Sequence, residues 1–151
     1  MRPRFIKRRE SCQTRRSDPL KMPDVQTRTD PDLRYRAVER VAGIDELDAA
    51  MRAAIDEVGP GDGPPFAIFH GPVNEESMSR LEVGVPDAAG DRVFPGGLVA
   101  TGSGPSDADY DAIHVVYDAI ADFIRANGHS QRGPTREVYH DACIEIVWPI
   151  K

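Results

Sequence analysis

The sequence predicts an α+β domain made of a duplicated unit, with two helices packed on one face of an antiparallel sheet. Three observations lead there. Two segments carry the three-to-four-residue apolar rhythm of amphipathic helices. Each is preceded by one short strand-like segment and followed by two, and the two sets superpose on one another.

A first strand is expected over residues 33–41. Residues 41–59, VAGIDELDAAMRAAIDEVG, follow as a helix whose apolar face is Ile44, Leu47, Met51, Ile55 and Val58, with Asp45 placed to cap its start and Gly59 its end. PFAIFH (65–70) and LEVGVP (81–86) then form a hairpin around a loop at 71–79. The pattern recurs. A strand at 97–102 precedes a helix over 107–128 with Ile113, Val116, Ile120 and Ile124 on one face, and TREVYH (135–140) and IEIVWP (144–149) close the chain as a second hairpin. A shift of 69 lays Ile44 on Ile113, Leu47 on Val116, Met51 on Ile120, Ile55 on Ile124 and Gly59 on Gly128. The hairpin strands match at shifts of 70 and 63, the difference being the longer first loop.

Alternation sorts the strand side chains onto two faces. Ile144, Ile146 and Trp148 oppose Cys143, Glu145 and Val147, and Leu81, Val83 and Val85 oppose Glu82 and Gly84. The apolar rows must meet the helices, which sends Glu82 and Glu145 to the helix-free face. With Val138 and Ile68 taken as core, Glu137, Tyr139 and Phe69 join Glu145 there. The expected result is a ligand cleft on that face, with carboxylates on its floor and aromatics on its walls.

Composition narrows the function classes. At 151 residues and 40% apolar the chain is one domain rather than a disordered protein. It lacks the ~20-residue apolar run of a membrane helix and the apolar segment of a secretory signal. Two cysteines are too few for a disulfide scaffold or a structural zinc site, so a cytoplasmic protein is expected. The net charge of −6 conceals an asymmetry: residues 1–22 carry eight Lys or Arg against Glu10 and Asp18, leaving the remainder at −12. Residues 1–23 therefore read as a basic disordered tail or as sequence upstream of the true start, Met22 opening a natural strand-first beginning, and 24–151 as the folded domain. The acidic body argues against a nucleic-acid surface. His70, His114, His129 and His140 lack metal-ligand spacing, and the Gly/Pro stretches 59–65 and 95–97 lack the Lys-Ser/Thr of a phosphate cradle. No metal or cofactor is expected.

The C-terminal run Arg136-Glu137-Val138-Tyr139-His140-Asp141, with Ile144-Glu145-Ile146 and Pro149-Ile150 after it, resembles the E-x-Y…E-I-x-x-P-I pattern of the GyrI-like small-molecule-binding domain. That module is the effector-binding part of AraC- and MerR-type multidrug regulators and is also found alone. LEVGVP at 81–86, Pro95-Gly96-Gly97, and Tyr110-Asp111-Ala112-Ile113 with Tyr117 support the resemblance, which spans residues 24–151. It implies a cleft where the last-strand glutamate, Glu145, contacts small, flat, lipophilic molecules, cations among them, with Tyr139 and Tyr110 beside it. Glu137, Phe69, Glu82 and the edge of Trp148 complete the candidate set. One departure touches Tyr110: the family's H-x-G-P-Y is broken, since Ser106-Asp107-Ala108-Asp109 separates Gly104-Pro105 from Tyr110 and no histidine precedes it. The expected role is a stand-alone sensor or sequestering protein with a small-molecule ligand and no membrane contact. Some 23 residues rich in Arg and Pro cannot build a helix-turn-helix, so the folded domain itself is not expected to bind DNA, and any regulator or target protein would be a separate partner. Two alternatives stay open. One is a hydrolase of cyclopropane-bearing metabolites using Glu145 and Tyr139 as acid and base. The other is an interaction module that inhibits a target such as DNA gyrase.

Overall fold

In the computed structural model, residues 23–71 and 78–151 are described. The expected basic tail, apart from Pro23, and most of the first hairpin loop lie outside them. The elements in chain order are β1 (Gln26–Asp30), β2 (Leu33–Ala42), α1 (Leu47–Val58), β3 (Phe66–Phe69), β4 (Ser79–Pro86), β5 (Arg92–Phe94), β6 (Gly97–Pro105), α2 (Tyr110–Ala126), β7 (Thr135–Tyr139) and β8 (Cys143–Pro149). The strands form one curled sheet in the order β1-β6-β8-β7-β3-β4-β2-β5. Every ladder in it is antiparallel. This is the α+β architecture with two helices that the repeat predicts.

The duplication is larger than the sequence reading made it. The short strands β1 and β5 carry little apolar alternation, QTRTD and RVF, and periodicity does not find them. Each leads its own repeat yet pairs with the other half: β1 lies along β6 and β5 along β2. Arg28 thereby stands opposite Val99 through the same geometry that links Arg92 to Tyr35 (Cα partners Arg28↔Val99 and Tyr35↔Arg92). The exchange knits the halves together around an axis between β3 and β7.

α1 covers β2 and β4, and α2 covers β6 and β8. Ala54, Leu81, Val83 and Ala67 form the core under α1, and Ile113, Val116, Ile120, Ile124 and Ile146 the core under α2. Each fully buried aliphatic side chain contributes roughly 1.5–3 kcal/mol, so a handful of such positions suffices to dock each helix. Gly102 lets α2 sit close, since a Cβ there would stand 3.1 Å from Val116 and 3.3 Å from Ile120. Asp109 caps α2 by accepting a hydrogen bond from the Ala112 amide at 2.8 Å. α1 starts later than expected and is not capped by Asp45. Residues 43–46 form a turn closed by the Glu46 amide on the Gly43 carbonyl, and no side chain caps the helix. Gly59, at φ +73°, ends it as predicted.

The helix-free face is also a core. Tyr35, Phe66, Ile68, Phe94, Val99, Val138 and Val147 form one buried cluster there. This corrects the expected facing of β3 and β7. Val138 pairs with Glu145 and Ile68 with Glu82, so all four share the helix-free face. Glu137 pairs with Ile146, Tyr139 with Ile144 and Phe69 with Leu81, so Glu137, Tyr139 and Phe69 lie under the helices. The face where a cleft was expected is filled by the chain's own apolar side chains.

Candidate functional site

Three strand glutamates lie inside the fold, and their surroundings differ. On the helix-free face, Glu82 accepts hydrogen bonds from the Tyr35 hydroxyl (2.8 Å) and from Arg92 (2.8 Å), and its other oxygen meets Nε2 of His70 at 2.6 Å. Across the pseudo-axis, Glu145 accepts from Arg28 at 2.7 Å and meets Nε2 of His140 at 3.0 Å. Burial opposes ionisation of both carboxyls. The bonds from Tyr35, Arg92 and His70 outweigh it at Glu82, and those from His140 and Arg28 at Glu145, so both titrate below the ordinary carboxylate range. Each is a satisfied Arg-Glu-His set, with both oxygens engaged.

Glu137 is different. It sits on β7, in the stretch of sheet between the strands covered by α1 and those covered by α2, and its partners are two phenols. The Tyr117 hydroxyl from α2 donates to one oxygen at 2.6 Å and the Tyr139 hydroxyl to the other at 2.9 Å. No arginine or lysine pairs with it among the described residues. Burial pushes its carboxyl above the usual range, against the pull of the two phenols and of His114. Tyr117 and Tyr139 are pushed well up in turn, first by burial and then by the charge of Glu137.

Aromatic and soft groups surround this carboxyl. Tyr110, His114 and Tyr117 recur at i, i+4 and i+7 along the flank of α2. Their rings follow one another at 4.3 and 6.2 Å, and Tyr117 continues to Trp148 at 6.1 Å, edge to face. From the α1 side, Sδ of Met51 lies 3.8 Å from the Tyr139 hydroxyl, with Phe69 and Ile55 in the same cluster. Tyr117, Tyr139, Phe69, Met51 and Glu137 are half-buried rather than sealed, and Tyr110 and His114 are exposed. Nε1 of Trp148 is a buried donor with no partner among the described residues.

Of the seven sequence candidates, the structure gathers Glu137, Tyr139, Tyr110, Phe69 and Trp148 on the helix-covered side, and leaves Glu145 and Glu82 on the other. Glu145 and Tyr139, paired in the hydrolase alternative, are on opposite faces of the sheet and make no contact; the Tyr139 hydroxyl bonds Glu137 instead. Sequence reasoning missed His114 and Met51 as neighbours of the site and left Tyr117 unassigned, although the i, i+4, i+7 spacing of Tyr110, His114 and Tyr117 was readable. It also missed Arg28 and Arg92, which occupy the glutamates it favoured, because they arrive on the two undetected strands. No cluster of three or more His, Cys, Asp or Glu among the described residues is placed to hold a metal, and no described helix is long and apolar enough to cross a membrane.

No protein-family model and no curated protein matches the sequence. Solved structures do share the architecture. The EcmrR C-terminal domain superposes with a TM-score of 0.67 at 15% identity, covering 87% of this chain and 99% of that one. In an EcmrR–DNA complex the match spans 63% of the EcmrR chain. SAV2435 bound to tetraphenylphosphonium gives 0.58 at 12% identity over 85% of this chain and 94% of its own. A hydrolase from Listeria innocua gives 0.58 at 12% identity over 90% and 96%. The resemblance carried by the C-terminal motif thus extends to the whole fold, which is that of the EcmrR C-terminal domain and SAV2435.

Proposed function

We propose that this chain binds small, flat, lipophilic cations between its two helices, with Glu137 as the counter-charge. The observation that carries the reading is the contrast between the three inner glutamates. Glu82 and Glu145 are each neutralised by an arginine and flanked by a histidine, whereas Glu137 is held by two phenols and has no cation of its own among the described residues. A partly desolvated carboxylate costs several kcal/mol unless a cation compensates it, and aromatic faces add roughly 0.5–2 kcal/mol to binding a cation. Tyr117, Tyr139, Trp148 and Phe69 supply those faces, and Met51 a deformable wall suited to ligands of varied outline. The unpartnered Trp148 donor favours ligands that also carry a hydrogen-bond acceptor. SAV2435, which shares the fold, binds tetraphenylphosphonium, a lipophilic cation whose charge is surrounded by aromatic rings.

The single tryptophan makes the test direct. Tetraphenylphosphonium titrated into the protein is expected to change Trp148 fluorescence saturably, and Glu137→Gln to shift the midpoint upward. Absence of a saturable change, or an unshifted midpoint in the variant, rejects the reading.

A hydrolytic reading is favoured by one feature. A carboxyl held above its usual range beside two phenols can donate a proton to a ring carbon as the strained C–C bond breaks, and its carboxylate can take back the proton that water loses on adding to the other carbon; a hydrolase from Listeria innocua shares the fold. Product formed catalytically from a cyclopropane-bearing substrate, and lost in Glu137→Gln, would establish it; a stoichiometric burst or no product would leave binding alone.

A further inference from the structure

α1 buries less of itself than α2 and leaves an apolar flank half-open. Of its side chains only Ala54 and Val58 are buried, against Ile113, Val116, Ala119, Ile120 and Ile124 of α2. The repeat allows the comparison position by position. Leu47, Met51 and Ile55 correspond to Val116, Ile120 and Ile124. The α2 residues are 2, 0 and 8% exposed, whereas all three α1 residues stay half-buried. The duplicated fold can therefore seal these positions and in the first repeat does not. Neighbouring contacts fix where the open flank lies. Glu57 ties one side of α1 to Arg40 on β2. Met51 turns towards the middle of the sheet, its Sδ 3.8 Å from the Tyr139 hydroxyl that donates to Glu137. The apolar flank is thus continuous with the Glu137 site. Polar groups enter that site from one side only: in the first repeat the positions matching Glu137 and Tyr139 are Ala67 and Phe69.

We infer that the flank of Leu47, Met51 and Ile55 takes an alkyl arm of the bound cation. The ligand is then an amphiphile, with a charged aromatic head over Glu137 and a linear apolar tail along α1. The inference rests on the cation reading of Glu137 and adds the direction in which the ligand lies. Apolar side chains four residues apart form a continuous stripe on a helix, and a tail laid on it removes apolar surface of both partners from water. Leu47 and Ile55 are eight residues apart, about 12 Å along the axis, a length that an octyl chain approaches.

The test titrates methyl-, butyl- and octyltriphenylphosphonium, which keep one head and lengthen one arm, into the whole chain by calorimetry. Each methylene buried is worth about fourfold in affinity, and a rise of at least thirtyfold from methyl to octyl is expected. Ile55→Thr and Met51→Gln are each expected to cut the octyl-to-methyl ratio at least threefold. Val115→Thr, at an exposed position of α2, should leave the ratio unchanged, and Glu137→Gln should weaken all three ligands alike. In the wild type, nuclear Overhauser contacts from the octyl methylenes to the Met51 methyl report the tail directly, so the answer survives a variant that does not fold. A ratio near one, an undiminished ratio in both folded α1 variants, or no contact to Met51 would each overturn the inference, while a loss in Glu137→Gln would still uphold the cation reading. Failure of all three ligands to bind, or unshifted affinity in Glu137→Gln, removes that reading and the inference with it. A dimer broken by Ile55→Thr with the ratio unchanged would assign the flank to a second copy of the chain and overturn the inference too.

Discussion

Replacing Glu137 with glutamine removes one charge from the proposed cation site and leaves its shape. The amide keeps a carbonyl oxygen for one phenol and presents its NH2 to the hydroxyl of the other, so the bonds now made by Tyr117 at 2.6 Å and Tyr139 at 2.9 Å are conserved in number. A cation about 5 Å from the carboxylate, at an effective dielectric near 20, gains roughly 3 kcal/mol of attraction. Little of that is offset at the protein, because the carboxyl is already desolvated, as its raised titration shows. The expected loss of tetraphenylphosphonium affinity is therefore about 1.4–3 kcal/mol, ten- to over a hundredfold. Calorimetry on the alkaline side of the Glu137 titration, where the carboxylate is charged, measures it. Glu145→Gln serves as the counter-test, since Glu145 is already paired with Arg28 and His140 on the far side of the sheet. A loss under threefold in Glu137→Gln, or a larger loss in Glu145→Gln, would refute the assignment.

The remaining predictions concern pH and stability. Cation affinity should be full above the titration of Glu137 and fall about tenfold per pH unit below it. Because burial raises that carboxyl above the ordinary carboxylate range, the fall begins on the alkaline side of that range; affinity measured as a function of pH should show it, and Glu137→Gln should flatten the curve. Glu82 and Glu145 have the opposite sign. Their depressed carboxyls add stability above pH 4.5 that is lost as pH falls through their lower folded-state values. Glu145→Gln should cost about 1–3 kcal/mol at pH 7, less than a sealed ion pair because Arg28 is 42% exposed, and the urea-unfolding gap to wild type should close in acid. Gly90→Ala should lose about 1–3 kcal/mol, because a Cβ there would stand 2.3 Å from the backbone carbonyl oxygen of Tyr35, measured as a lower urea midpoint at unchanged slope.

Periodicity and repetition were enough to read the fold class, both helices and six of the eight strands, because the rows Ile113-Val116-Ile120-Ile124 and Leu81-Val83-Val85 have one possible destination, the helix–sheet core. The same logic failed for FAIF on β3 and REVY on β7. There both rows are apolar enough to be buried, and burying Val138 did not decide which side the helices take. A curled sheet with a core on each face removes the usual contrast between a covered and a solvated side, so alternation gives two rows without saying which is which. The partners of the glutamates were equally unreadable. Arg28 reaches Glu145 across 117 residues, on a polar edge strand exchanged between repeats, and that pairing, more than any local feature of the sequence, leaves Glu137 as the inner carboxylate without a cation among the described residues. The sequence by itself determined the two helices, the six apolar strands and their duplication, since those follow from local spacing. Which carboxyl is neutralised and which is left to a ligand was decided by long-range strand pairing, because charge compensation depends on distance in space and not on distance along the chain.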